Sequence, residues 1–347
     1  MAVYPLYTVD AFTLDQEPFT GNPAAVCLLP PGESPSDKTL TRIAAEMNLS
    51  ETAYVQPLTD NVGGSYQSTQ SITDACLKTN RFSLRWFTPM VEVKMCGHAT
   101  LASAHVLFQE LGHSAEELLF DTLSGTLRVS KHSVEAQPND STSLASPKLS
   151  MTLPQDRLCT VYDIDHCQSG VLPETEQQKL APATTDKLRR LVDGILDTTF
   201  PTPQLPVVYS LSLSQNLRYL LVDLQGGADI LDKLNPSFNP DIMKLGEDCN
   251  VTVIIFTTQS VDGSSGTDIV QRVFAPWVGT LEDPVTGSSY TVAGPYWYHR
   301  KGLAQFSARQ GGSRQGKVGV VVSDPQLDPS VQVIGQGVTV VSGTIRV

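Results

Sequence analysis

Cys96-Gly97-His98-Ala99-Thr100-Leu101-Ala102-Ser103-Ala104-His105, running on to Gly112, is the stretch on which the fold turns. Its spacing predicts a helix from Ala99 to about Leu111. Leu101, Ala104, His105 and Phe108 share one stripe, and Gly112 is suited to close the last turn. Strands flank it on both sides. Upstream, Phe82, Leu84, Trp86 and Thr88 have strand character as far as Pro89; downstream, 118–130 reads as a hairpin turning at Ser124-Gly125. Further out, 3–12 alternates and is rich in Val, Tyr and Thr, and Gly21-Asn22-Pro23 punctuates it. Leu40, Ile43, Ala44 and Met47 then mark a helix with Ser36 as its N-cap, and a strand over 52–55 follows directly. The second half repeats the scheme: strands at 206–213, 219–224 and 251–257, a short helix at 240–245, and a central helix at 290–299 opened by Asp283-Pro-Val-Thr-Gly-Ser-Ser-Tyr290. The tail, 317–324 and 331–347, is Val-rich and strand-like. Two halves, each of many short strands around one helix, predict an α+β protein rather than a βαβ nucleotide-binding fold.

Composition agrees. With 347 residues, about two domains are expected, and 40% hydrophobic residues provide for a sizeable core. The formal net charge is −12, with no basic run, so no nucleic-acid partner is expected. The longest apolar run, 24–29, is too short to span a membrane. No basic segment followed by an apolar stretch opens the chain, so a cytoplasmic protein is expected. The six cysteines form no C-x-x-C pair; Cys159, His166 and Cys167 come nearest to a cluster, and no metal is expected there. The polar stretch 59–79 reads as an exposed loop or insertion, and 132–146 as a loop near the domain boundary.

Two segments could carry chemistry. Cys96-Gly97-His98-Ala99-Thr100 and Thr286-Gly287-Ser288-Ser289 each place a glycine and small residues at a predicted helix start, where free N–H groups and the helix dipole favour an anion. Taken alone, both are equally readable as ordinary helix starts. His98 lies in the first segment and Asp283 just before the second. Glu51, where a helix gives way to a strand, is either a solvated glutamate or one whose pocket raises its pKa toward neutrality. Cys96, at a helix start, has a site that lowers a thiol's pKa.

A resemblance joins these residues. Val9-Asp10-Ala11-Phe12 with Gly21-Asn22-Pro23-Ala24-Ala25-Val26, Asn48-Leu49-Ser50-Glu51-Thr52-Ala53 and Arg85-Trp86-Phe87-Thr88-Pro89 resemble motifs of the PhzF family of phenazine-biosynthesis isomerases. So do Cys96-Gly97-His98-Ala99-Thr100-Leu101-Ala102 and Asp283-Pro284-Val285-Thr286-Gly287-Ser288, and Gln310-Gly311 with Arg314 is similar to that family's final motif. The resemblance implies a diaminopimelate epimerase-like fold: two similar domains, each a barrel-like, mostly antiparallel sheet around a central helix, with the active site in the cleft between them. Here these would be 1–131, joined by about 335–347, and 132–334. It implies further that Glu51 is the acid/base that moves a proton on a small unsaturated or cyclic carboxylic acid. His98 and Asp283 would orient the substrate or stabilise the proton-transfer state, and Gly97, Gly287 and Ser288, with His98, would bind it. Cys96 stands where the related epimerases carry a catalytic cysteine, but the 283–289 segment offers no second one. The resemblance also implies no metal or organic cofactor, a homodimer, and a place in secondary metabolism. The same base could instead drive a lyase or a cyclisation, and the fold could serve a non-catalytic binding protein. Stretches 60–79 and 138–150 look longer than the family's loops, and Pro295 stands where a smooth central helix is expected.

Overall fold

A computed structural model describes residues 2–33, 35–59, 66, 68–132, 147–163, 180–201, 204–260, 266–324 and 327–347. The chain divides into two compact units. The first comprises Met1–Leu153, Arg314–Lys317 and Gln332–Val347, the second Pro154–Ser313 and Val318–Val331.

In the first unit, β1 (Val3–Ala11) lies between β2 (Asn22–Leu28) and the C-terminal strand Gly337–Arg346, antiparallel to both. The loop joining β1 to β2 is fastened by Arg314. Its guanidinium donates to Asp10 Oδ1 (2.6 Å) and to the carbonyls of Thr20 and Gly21 (3.2 and 2.8 Å). Gly21, at φ +70°, has no room for a side chain, since a Cβ there would sit 2.3 Å from the Ala11 carbonyl oxygen. α1 (Asp37–Met47) then carries the chain to β3 (Glu51–Pro57), parallel to β2. The Ser36 hydroxyl caps α1 as its sequence predicts, accepting from the Thr39 N–H, and Asn48 ends it in a left-handed conformation (φ 49°).

α2 (Thr69–Cys76) corrects the sequence reading of an exposed loop. Ser68 and Ser71 form a reciprocal cap, and Ile72, Ala75 and Cys76 are buried; the polar residues around these three mask a short apolar stripe. Most of 60–67 lies outside the described residues. β4 (Arg81–Phe87) pairs with β3, with the short β5 (Glu92–Val93) at one end. α3 (Gly97–His105) follows, and then β6 (Glu117–Thr122), β7 (Gly125–His132) and β8 (Lys148–Pro154). β6 runs parallel to β4, and β7 and β8 continue antiparallel. The β7–β8 ladder reaches His132, the first residue of the loop expected over 132–146, so that residue is strand; the rest of the stretch lies outside the described residues.

α3 is the centre of the unit. All of its residues are buried, not one stripe only, because Gly, Ala, Ser and Thr let sheet and loops approach from every side. It passes into a π turn over Val106–Glu110, closed by Leu111 N–H to the Val106 carbonyl (3.0 Å).

The second unit begins with β9 (Leu158–Asp163) and α4 (Pro182–Asp197), followed by β10 (Val208–Ser214) and β11 (Tyr219–Leu224). α5 (Ala228–Lys233), α6 (Pro240–Asp248), β12 (Val253–Gln259), β13 (Ile269–Ala275) and β14 (Thr280–Asp283) come next. α7 (Tyr290–Lys301) and β15 (Gln305–Gln310) follow, and the strands Gly316–Val322 and Ser330–Gly335 come after them, before the C-terminal strand. β9 to β13 form a continuous sheet, antiparallel except between β11 and β12, and β13 also carries β14 and β15. Alternation sorts the strand residues. Leu220, Val222, Ile254, Phe256, Val270 and Phe274 join Leu188, Leu191 and Ile195 of α4 in one core. Asp223, Thr257 and Gln271 point to the opposite face, toward α7: Tyr296 Oη donates to Asp223 (2.7 Å), Trp297 Nε1 to Thr257 (3.2 Å), and Gln271 to Ser289 just before the helix (2.6 Å).

Pro295 does not interrupt α7. A proline deprives the carbonyl four residues back of its helical donor. Here that carbonyl, of Thr291, accepts from the Asp156 N–H instead (3.0 Å). Asp156 is itself held by Asn216 and Leu217, whose backbone N–H groups donate to its carboxylate (3.1 and 2.7 Å). No helix among the described residues is long and apolar enough to cross a membrane.

Candidate active site

Glu51, Cys96 and His98 converge in the first unit. Asn48 turns the chain out of α1 so that Glu51 becomes the first residue of β3, opposite Ala24 of β2. Cys96 is the N-cap of α3 without a side-chain cap bond, and His98 is the second residue of that helix. The imidazole stands between the other groups. Nε2 lies 3.3 Å from Glu51 Oε2 and 3.3 Å from Ser50 Oγ, while Nδ1 lies 3.5 Å from Cys96 Sγ. The His98 side chain is 5% exposed and that of Glu51 19%, so the ring is enclosed and the carboxyl keeps an opening.

Burial pushes the Glu51 carboxyl above its ordinary value; hydrogen bonds from the Ser50 and Cys96 side chains oppose that shift without cancelling it. Oε2 is buried and makes no hydrogen bond among the described residues. A carboxyl whose pKa is raised, with an imidazole beside one of its oxygens, is suited to give and take a proton. The start of α3 adds the positive end of a helix dipole nearby.

Carboxylate, thiol and imidazole atoms all within 4.8 Å of one another could also suggest a metal. The ring argues for proton transfer instead. Thiol and carboxylate approach different ring nitrogens, Sγ at Nδ1 and Oε2 at Nε2, whereas an ion would be held by only one of those nitrogens. The weaker candidate at Cys159 gains no support: its thiol accepts from Gln215 Nε2 (3.4 Å), and His166 and Cys167 lie outside the described residues.

Asp283, Gly287 and Ser288 belong to the second unit and are near one another there. Asp283 closes β14, Gly287–Ser289 forms a 3₁₀ turn, and α7 starts at Tyr290. Thr286 Oγ1 donates to Asp283 Oδ2 (2.5 Å), and Ser288 Oγ lies 3.1 Å from Tyr219 Oη. Thr286 and Ser50 lie in the quoted motifs without a role of their own, and the sequence reading gives Tyr219 and Gln271 no functional role. For Gln271 a signal existed: one amide inside the apolar run Ile269-Val270-Gln271-Arg272-Val273-Phe274 requires a buried partner.

Comparison with known proteins decides the lineage. The family model described as phenazine biosynthesis-like protein matches residues 9–343. The chain belongs to the phenazine biosynthesis-like family. Phenazine biosynthesis-like domain-containing protein 2 of Mus musculus is 34% identical over 346 residues, covering 98% of each chain. A protein named as an uncharacterized isomerase in Halalkalibacterium halodurans is 33% identical over 342 residues, covering 98% of this chain and 97% of that one. Among solved structures, a PhzC/PhzF protein of Clostridium difficile superposes with a TM-score of 0.67 at 26% identity, covering 99% of this chain and 100% of that one. A predicted epimerase of Pseudomonas aeruginosa shares the fold (TM-score 0.62, 17% identity, 99% of each chain covered). The α+β, epimerase-like architecture expected from the sequence is therefore the observed one, and the family's relatives support an isomerase-type function.

Proposed function

We propose that this phenazine biosynthesis-like protein is a cofactor-independent isomerase in which Glu51 moves a proton on a small unsaturated or cyclic carboxylic acid. The observation that carries this reading is the geometry at Glu51: a largely buried carboxyl, pushed up by that burial, whose Oε2 lies 3.3 Å from His98 Nε2. Glu51 removes a proton from a carbon acidified by a neighbouring double bond or carbonyl and returns it elsewhere on the same skeleton. His98, supported by Cys96 at its other nitrogen, stabilises the charge that develops. The backbone N–H groups at Gly97 favour the substrate carboxylate. The reading assigns Asp283, Gly287 and Ser288 to charge stabilisation and substrate binding on the family resemblance, not on a distance. A homodimer, a cytoplasmic location and a role in secondary metabolism are expected on the same ground.

The test is a metabolite comparison in deuterated water between the wild-type protein and Glu51→Gln, using an extract of small carboxylic acids. Wild type should convert one compound into a product of equal formula carrying deuterium, and Glu51→Gln should lower that conversion by roughly 10²–10⁴. A dehydrated or cyclised product would assign the base to elimination or ring closure. Equal behaviour of the two proteins would remove Glu51 from the chemistry.

A further inference from the structure

Beneath the Asp283–Ser289 turn lies a chain of buried polar side chains whose hydrogen-bond directions are fully determined. Gln271 and Gln310 have no solvent exposure, and neither has Ser289. Two backbone carbonyls, which can only accept, set the polarity. Gln310 Nε2 donates to the Asp283 carbonyl (3.2 Å), so this nitrogen also donates its second hydrogen to Thr286 Oγ1 (3.0 Å). Gln310 Oε1 is then an acceptor, filled by Gln271 Nε2 (2.7 Å). Gln271 Nε2 gives its other hydrogen to Ser289 Oγ (2.6 Å), whose own proton goes to the Thr286 carbonyl (2.7 Å). Reversing the Gln271 amide would set oxygen against oxygen at Gln310.

One consequence reaches Asp283. Because Thr286 Oγ1 accepts from Gln310, its single proton points to Asp283 Oδ2, 2.5 Å away. A protonated Asp283 would present a second donor to a hydroxyl whose own proton already points at it. The arrangement also has a cost: Gln271 Oε1 is buried with no hydrogen-bond partner among the described residues. A purely structural network would gain by satisfying or discarding that oxygen. The ionised neighbours do not substitute for the relay, since Arg272 is engaged by Glu282 and Arg309 by Asp232.

We propose that Gln271 and Gln310 are positioning residues, a buried amide relay that fixes the Thr286 hydroxyl as a donor and so holds Asp283 as an accepting carboxylate. The importance of Asp283 rests on the proposed function, so the test reads the Asp283 carboxyl directly and not turnover. With ¹³C-labelled aspartate and Asp283→Asn to assign its signal, the carboxyl is titrated by NMR in wild type, Gln310→Met, Thr286→Val and Thr286→Ser. Gln310→Met frees the hydroxyl to accept and should raise the midpoint by about one pH unit; Thr286→Val should raise it at least as much, and Thr286→Ser should restore the wild-type value. If Gln310→Met does not fold, Thr286→Val and Thr286→Ser carry the test on their own, since Gln271 touches Gln310 only at its oxygen and the Asp283 carbonyl still orients the Gln310 nitrogen. An unchanged midpoint in a folded amide variant, or in Thr286→Val, overturns the relay. A relay that titrates as expected while Asp283→Asn keeps full turnover upholds it and removes Asp283 from the reaction.

Discussion

His105, near the end of the central helix α3, offers a quantitative test of how the first unit is built. Its ring is 4% exposed, with Nε2 3.2 Å from Thr339 Oγ1, and burial pushes its pKa down from 6.5 to about 4. The folded state therefore resists a proton that the unfolded chain takes up readily. For a histidine depressed in this way the unfolded state binds more protons, so stability rises with pH between about 4 and 6.5 and is lost on acidification. At about 1.36 kcal/mol per pH unit, the linkage costs almost nothing at pH 7 and about 2 kcal/mol at pH 5. The perturbation is His105→Asn, which removes the titration, and the assay is urea unfolding at both pH values. Glu51 and Asp223, both pushed up by burial, act in the opposite sense but are common to both proteins, so the difference between wild type and variant isolates His105. Wild type should lose about 2 kcal/mol more than His105→Asn on going from pH 7 to pH 5. Equal losses, within about 0.5 kcal/mol, would show that the ring is not held neutral by its surroundings.

Arg314→Ala should destabilise the first unit by on the order of 3 kcal/mol in denaturant, because it strands the buried Asp10 carboxylate, and Lys should restore only part of that, having no fork to reach Thr20 and Gly21 as well. Gly335→Ala places a Cβ 2.3 Å from the Phe12 ring and should cost about 2 kcal/mol in the same measurement. Tyr54→Phe removes the buried hydroxyl that donates to the Leu40 carbonyl (2.6 Å) and should lower stability by about 1 kcal/mol, with α1 the first element to lose amide protection.

Much of this organisation is legible in the sequence. α1, with its Ser36 cap and its Leu40, Ile43 and Ala44 face, follows from periodicity, and β11 at Tyr219–Leu224 from its β-branched and apolar run. α2 was hidden because only Ile72, Ala75 and Cys76 face inward while Ser, Thr and Gln surround them. The passage of α7 through Pro295 depends on a donor, the Asp156 N–H, far away in sequence, which no local pattern contains. The candidate site divides along the same line. Glu51 and His98 stood out through motifs, but the contact between them spans 47 positions and was supplied by the resemblance, not by spacing. Gln271 needed its partners Ser289 and Gln310 before its meaning could be read.

The whole functional account depends on a glutamate that keeps its proton where others have lost it. Infrared difference spectra between wild type and Glu51→Gln, recorded from pH 4 to 8, would isolate the protonated-carboxyl band of Glu51. The account predicts a midpoint clearly above the ordinary 4.5 of glutamate. A midpoint at or below 4.5 would make Glu51 an ordinary carboxylate and contradict its role as proton carrier.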